Sequence, residues 1–288
     1  MEEQLRLYTP GPLNTAARTR RAMLVDYGSR DARFVELVAR VRSNLLALGG
    51  VSQENGWEAI PMQGSGTFGL ESLVGSVVPS NGAMLVLVNG AYGRRLVMMA
   101  QTLGIANMSY VVQENEAHQP DALAHLLDNN PGITHVVAVH CETTTGLINP
   151  IQKLGRVARE KGRYFLVDSM SAFGAMRISL EDAPMDALVS SSNKCIEGVP
   201  GFSFVLIRRA MLEASEGCSR SLSLNLHAQW KDLETKGQFR FTPPTHTLAA
   251  FAQALQLLQE EGGVDARASR YRQNADIIQE GMQAMGFR

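Results

Sequence analysis

Cysteine is scarce in this chain. Cys141, Cys195 and Cys218 are spread widely over 288 residues, and no two form a CxxC pair. An odd, dispersed set excludes a disulfide framework and a zinc ribbon, and it fits a reducing compartment. An excess of charge is lacking too. Lys and Arg number 27 against 28 Asp and Glu, a net charge of −1, so there is neither the basic footprint of a nucleic-acid binder nor an acidic tail. Long apolar runs are missing: the most apolar stretches, Ala83–Val88 and Ile133–Val139, fall far short of the ~20 residues that span a bilayer. The N-terminus carries Glu2 and Glu3 without an apolar core, which excludes a secretory signal. A cytoplasmic protein without nucleic-acid or membrane partners is therefore expected. What is present is 45% apolar and 19% charged residues, an ordinary globular composition with enough material for a substantial core.

Short β-branched runs alternate with segments of helical period from about residue 58 to 207. The candidate strands are Ala83–Val88, Tyr110–Gln113, Thr134–His140, Tyr164–Asp168, Ala187–Ser190 and Phe202–Ile207. Helical stretches at Gly69–Val78, Arg94–Leu103, Asp121–Leu127 and Ile151–Lys161 lie between them. Strands joined through helices of this length predict an α/β fold with a mainly parallel sheet covered on both faces. The proline- and glycine-rich Tyr8–Thr15 reads as an extended arm or loop. Two amphipathic helices, Thr247–Glu261 and Val264–Met285, close the chain, parted by Gly262 and Gly263.

Three places invite chemistry. Gln63-Gly64-Ser65-Gly66-Thr67 leads into a helix, and a glycine-rich turn at a helix start offers free N–H groups and a favourable dipole to an anion. The same residues also suit a flexible turn. Tyr164–Asp168 is an apolar strand that ends in a carboxylate. That carboxylate either caps the next helix or faces the ring nitrogen of a heterocyclic ligand beyond the strand ends. Leu188–Cys195 is a strand running through small polar residues to Lys194, 26 positions after Asp168 (194 − 168). Taken alone Lys194 fits a solvated loop; buried at a strand end, its amine can form an imine with a carbonyl. Together, a phosphate cup, a strand-end acid and a strand-end lysine follow the order a pyridoxal-phosphate site needs. Tyr92, after Asn89-Gly90, offers a ring to stack on a flat heterocycle, and Thr143, in His140–Gly146, offers a hydroxyl. The GxGxxG fingerprint of nicotinamide enzymes does not follow the first strand.

The segments GSGT, NGAYG, HCETTTG, VDSMSAFG and SSNKCIEGVPG together resemble the fold-type I, class V aminotransferases over essentially the whole chain. LYTPGPL, SSNKCIEGVPGF, SRSLSLNLHAQW and RFTPPTHT are most similar to the branch that moves the amino group of 2-aminoethylphosphonate to pyruvate, giving phosphonoacetaldehyde and L-alanine. Branches acting on alanine or serine with glyoxylate or pyruvate share the same cofactor motifs.

The resemblance implies a homodimer with pyridoxal 5′-phosphate and a large domain built on a mainly parallel, seven-stranded-type sheet between helices. It implies Lys194 as the imine lysine and proton shuttle, Asp168 on the ring nitrogen and Tyr92 stacked on the ring. Ser65, Gly66 and Thr67 would hold the phosphate, with Ser192 adding to that site and Thr143 on the phenolate side. Thr242 would reach the phosphate of the partner subunit. Residues 1–20 are expected as an N-terminal arm, 21–262 as the cofactor-binding domain and 263–288 as the start of a small C-terminal domain that is otherwise largely missing. In the family that domain supplies an arginine for the anionic substrate; no residue here takes that place, Arg288 included, so a cofactor binder without turnover is the competing expectation. Cysteine desulfurase relatives need a mobile catalytic cysteine loop, whereas Cys195 abuts the lysine and Cys141 follows a strand; all three cysteines read as structural.

Overall fold

The computed structural model describes residues 5–287; the first four residues of the expected arm, and Arg288, lie outside the described residues. Apolar strands, all but one of the two edge strands mostly buried, form the centre of the molecule. They are β1 (Trp57–Gln63), β2 (Ala83–Val88), β3 (Ala106–Val111), β4 (His135–Val139), β7 (Tyr164–Asp168), β8 (Ala187–Ser191) and β9 (Phe202–Arg208). They form one sheet in the order β1-β9-β8-β7-β4-β2-β3. Only β9 runs against its neighbours, pairing antiparallel with β1 and with β8. The expectation of a mainly parallel seven-stranded α/β sheet is met. A two-stranded ribbon, β5 (Cys141–Glu142) with β6 (Leu147–Ile148), stands apart.

Helices follow the strands as the spacing predicts: α3 (Gly66–Val77), α4 (Ala91–Thr102), α5 (Pro120–Asn129) and α6 (Ile151–Glu160). Helix α3 packs on β8 and β9, α4 on β2 and β3, and α6 on β7. The chain opens with α1 (Ala17–Arg21) and α2 (Ala32–Leu48), and after β9 come α7 (Arg209–Ala214), α8 (Leu226–Lys236), α9 (Thr245–Glu261) and α10 (Gly263–Ala284). Among the described helices none is long and apolar enough to cross a membrane.

The sequence reading gave no strand for β1 and no helix for α1, α2, α7 or α8, and it displaced β3; for β1, α2 and β3 the reasons are identifiable. Strand β1 contains Pro61, which lacks a ladder donor and argues against a central strand. It is tolerated because β1 is the edge strand, bonded to β9 alone, and its carbonyl accepts from Gln229 Nε2 of α8 at 3.1 Å. Helix α2 buries Phe34, Leu37, Val38, Val41, Leu45 and Leu46, a stripe of helical period before the region where strands and helices alternate. Its N-cap is Asp31, whose side chain accepts from Arg33 N at 2.9 Å. The third difference is β3, which starts at Ala106 rather than Tyr110; it is the other edge, largely exposed and poor in β-branched residues, so its pattern carries little signal.

Because β1, β2, β4, β7 and β8 all point one way, their carboxyl ends open on one side of the sheet, where ligands bind in α/β proteins. At the far edge, the fully buried Glu58 of β1 is held between Arg42 of α2 at 3.1 Å and Arg209 of α7 at 2.8 Å. Losing the shared carboxylate leaves Arg42 with Glu234 and the Ala59 carbonyl, and Arg209 with the Gln53 carbonyl, as remaining partners. Glu58→Ala is expected to lower the unfolding free energy by roughly 3 kcal/mol; a urea midpoint shift worth less than about 1 kcal/mol would show that water replaces the carboxylate.

Candidate active site

At the carboxyl edge of the sheet lies a cleft of about 180 Å³, lined by Ser65, Gly66, Thr67, Tyr92, Arg95, Asp168, Met170, Ser191 and Lys194, among others. Each main wall comes from a different strand end. Strand β1 delivers the Gly64–Thr67 turn, β2 delivers Tyr92, β7 delivers Asp168, and β8 delivers Ser191 and the turn bearing Lys194.

The turn after β1 has the properties of an anion cradle. Ser65 is the N-cap of α3, yet its side chain makes no capping bond, so its hydroxyl and the first helical N–H groups face the cleft without a cap. A Cβ at Gly66 would lie 2.5 Å from Met170 Sδ, so any side chain there would displace the end of that methionine.

Asp168 is 2% exposed. Its Oδ1 accepts from Met170 N at 3.0 Å, while its Oδ2 is buried with no partner. Burial, with a smaller push from Glu142, raises its carboxyl to about 6, against the backbone bond from Met170. A buried lone oxygen at the end of a strand is poised to accept from a protonated nitrogen. Lys194 is half-buried in the same cleft, and burial lowers its ammonium below the usual lysine range, opposed by Cys195 and Asp168. Its Nζ donates to Gly11 O at 3.5 Å. Gly11 adopts φ +150°, and a Cβ there would lie 2.6 Å from Lys194 Cδ. The arm therefore passes directly over the lysine, which the sequence did not reveal.

Tyr92 stands in the first turn of α4, whose N-terminus Gly90 cannot cap. The fully buried Glu142 does so instead, accepting from Tyr92 N at 3.3 Å, Gly93 N at 3.4 Å and Thr144 Oγ1 at 2.8 Å. The His140–Gly146 segment thus sets the tyrosine through its glutamate. Arg95 is the cleft residue the sequence reading missed. Its guanidinium carbon lies 4.7 Å from the centre of the Tyr92 ring, and its Nη1 donates to Thr67 Oγ1 at 3.4 Å. Its neighbour Arg94 pairs with Glu114 on the surface. The signal that separates them is the three-residue step from Tyr92, which puts Arg95 on the same helix face.

Ser192 and Thr143, expected at the cofactor, stand outside the cleft lining, and Thr242, expected at the partner's phosphate, lies on the surface. Ser192 is fully buried and donates to Val199 O at 2.6 Å, so its hydroxyl is committed; the alternation of side chains at the end of β8 gives the cleft wall to Ser191 instead. Thr143 Oγ1 is 2.6 Å from Ser171 Oγ and is not part of the lining. Thr242 is exposed, outside the cleft, and its carbonyl accepts from Gln63 Nε2. The thiol of Cys195 is buried and pushed up to about 12, which suits a structural role and not a nucleophile.

The Asp168 carboxyl has a consequence for the cofactor-free protein. Its folded value of about 6 lies above the ordinary 3.8, so the folded state holds the proton more tightly. The stability this provides is complete below pH 4 and is lost as pH rises through 6. Asp168→Asn is therefore expected to be more stable than the parent at pH 7.5, by on the order of 3 kcal/mol, and to lose that advantage near pH 4. Urea titrations at the two pH values check this; an advantage that is the same at both would mean that the carboxylate is solvated or paired.

The aminotransferase class-V family model matches residues 65–288. Proteins named 2-aminoethylphosphonate–pyruvate transaminase share 48% identity with the chain in Rhizobium meliloti and 44% in Pseudomonas putida. Each match covers 98% of this chain and 73% or 76% of the relative. Among solved structures, pyridoxamine–pyruvate aminotransferase from Mesorhizobium loti superposes with TM-score 0.89 at 26% identity, covering 99% of this chain and 72% of that one. Alanine–glyoxylate aminotransferase from Nostoc sp. gives TM-score 0.90 at 26% identity, with 99% and 76% coverage. The cleft at the carboxyl edge is thus set in the frame of a known enzyme group, and the chain belongs to the class V aminotransferases.

Proposed function

We propose that this aminotransferase uses pyridoxal 5′-phosphate to move the amino group of 2-aminoethylphosphonate to pyruvate, releasing phosphonoacetaldehyde and L-alanine. The substrate pair rests on the relatives at 44–48% identity. The cofactor rests on one observation above others: the buried, unpartnered Oδ2 of Asp168 in the same cleft as an amine below its ordinary pKa. A pyridine nitrogen that must stay protonated satisfies that oxygen and offsets the cost of burying the carboxylate. The uncapped start of α3 and the flat face of Tyr92 fit the phosphate and the ring.

In this reading Ser65, Gly66 and Thr67 hold the phosphate through the N-terminus of α3, and Arg95 adds positive charge beside Thr67. Asp168 keeps a proton on the ring nitrogen, and Tyr92 packs against the ring. When bound, the cofactor supplies an electron sink for the carbanion density that develops at the reacting carbon. Lys194 would hold the cofactor through Nζ, and the same Nζ would serve as the base that takes a proton from the substrate carbon bearing the amino group. The lowered pKa of Lys194 leaves more of its amine free for both tasks near neutral pH. Gly11 and the arm cover the lysine and limit water.

Residues 21–262 constitute the cofactor-binding domain in this account, and 263 onward begins a smaller one. Thr242 faces outward, where a second copy of the chain in a homodimer would place it at the partner's phosphate site. The three free thiols suit the cytoplasm.

The test is a coupled assay for alanine with 2-aminoethylphosphonate and pyruvate. The parent is expected to turn over, and Lys194→Ala to lose at least about 10³-fold, together with the covalent adduct that borohydride fixes on the parent at Lys194. An adduct retained by Lys194→Ala would refute the lysine assignment. An intact adduct without alanine formation would leave a cofactor binder with no turnover on these substrates.

A further inference from the structure

The turn that carries Lys194 is tied to a group of side chains outside the cleft. Arg267, in the first turns of α10, is 2% exposed. A guanidinium is costly to remove from water unless its donors are satisfied. Arg267 spends one of them on a backbone carbonyl: Nη1 donates to Cys195 O, the residue after the lysine, at 2.5 Å. Its Nε and Nη2 meet Glu261 Oε2 at 2.7 and 2.6 Å. The same turn contains Glu197, the one non-glycine residue with positive φ (+62°) among the described residues, a conformation that persists only where surroundings enforce it. They do so here. Glu197 Oε1 accepts from Arg270 Nη2 and from Tyr271 Oη, both at 2.9 Å, while Glu197 N donates to Lys194 O at 2.8 Å. One face of α10 therefore grips the turn at its backbone and at its strained residue.

We infer that Arg267 is a positioning residue for Lys194, which, with Glu197 and Tyr271, clamps the 194–198 turn to α10 and fixes where Nζ enters the cleft. This rests on the reading that Lys194 attaches the cofactor. The clamp acts on the lysine and not on the phosphate or ring contacts, so covalent attachment and non-covalent binding separate. Attachment joins Nζ to the aldehyde carbon with loss of one water, and it needs the amine in place. Binding of 4-deoxypyridoxine 5′-phosphate, which has no aldehyde, does not.

The experiment compares the parent chain with Arg267→Met and with Tyr271→Phe, which removes only a hydroxyl and spares folding. In the cofactor-free proteins, amide exchange at Glu197 is expected to speed up by about tenfold in Arg267→Met and about threefold in Tyr271→Phe. The rate of attachment is expected to fall by similar factors while the Kd of the deoxy analogue stays within about twofold. Unchanged exchange in both variants overturns the inference, as does a parallel loss of analogue affinity, which would mark a merely structural role. Should the parent itself fail to attach the cofactor, the proposed function falls, and the exchange measurement alone decides the clamp.

Discussion

A carboxylate buried at the end of a parallel strand, with one oxygen unanswered, is the constraint around which this molecule is arranged. Asp168 ends β7 in the middle of the sheet, where strands on both sides exclude water. Such a group destabilises the fold unless something cationic meets it. The strand order sets what can do so: every strand but β9 delivers its carboxyl end to the same side, so the glycine turn before α3, Tyr92 and Lys194 all reach the space in front of it. Burying that carboxylate carries a cost, seen in the raised carboxyl, that a protonated ring nitrogen in front of it would relieve.

Around this centre, buried polar side chains do the positioning. Glu142 stands in for the cap that Gly90 cannot provide and so fixes Tyr92. Arg95 links that ring to Thr67. On the other wall Arg267 reaches across from α10 to the turn of Lys194. These groups lie on loops and helix starts, which are mobile unless tied. The sheet provides the rigid frame, and the ties convert loop residues into a defined constellation.

Much of this was legible in the sequence, and the reasons differ from element to element. Strand β7 was recognised over its whole length because YFLVD is aromatic and apolar and is closed by a charge. The glycine turn before α3 and the order of Asp168 and Lys194 were readable because local chemistry and spacing carry them. Pro61 hid β1, since a proline is admissible only at an edge and edge status is a property of the whole sheet. Ser192 was placed at the phosphate, whereas the folded chain commits its hydroxyl to Val199 and presents Ser191. Two adjacent serines at a strand end differ only in the face they take, and register decides that. Glu142 and Arg267 were not picked out because their partners are 50 and 72 residues away in the chain, and no local pattern announces a contact at such separation; Arg95 carries a local signal in its step from Tyr92, but its bond to Thr67 spans 28 residues.

The central claim is that Asp168 and Lys194 bracket one pyridine ring. A crystal structure of the chain with pyridoxal 5′-phosphate measures this directly. The account requires continuous density between the cofactor and Lys194 Nζ, with the ring nitrogen within hydrogen-bonding distance of Asp168 Oδ2 and the phosphate at Ser65–Thr67. A cofactor seated with its phosphate toward Asp168, or bound away from Lys194, would contradict it.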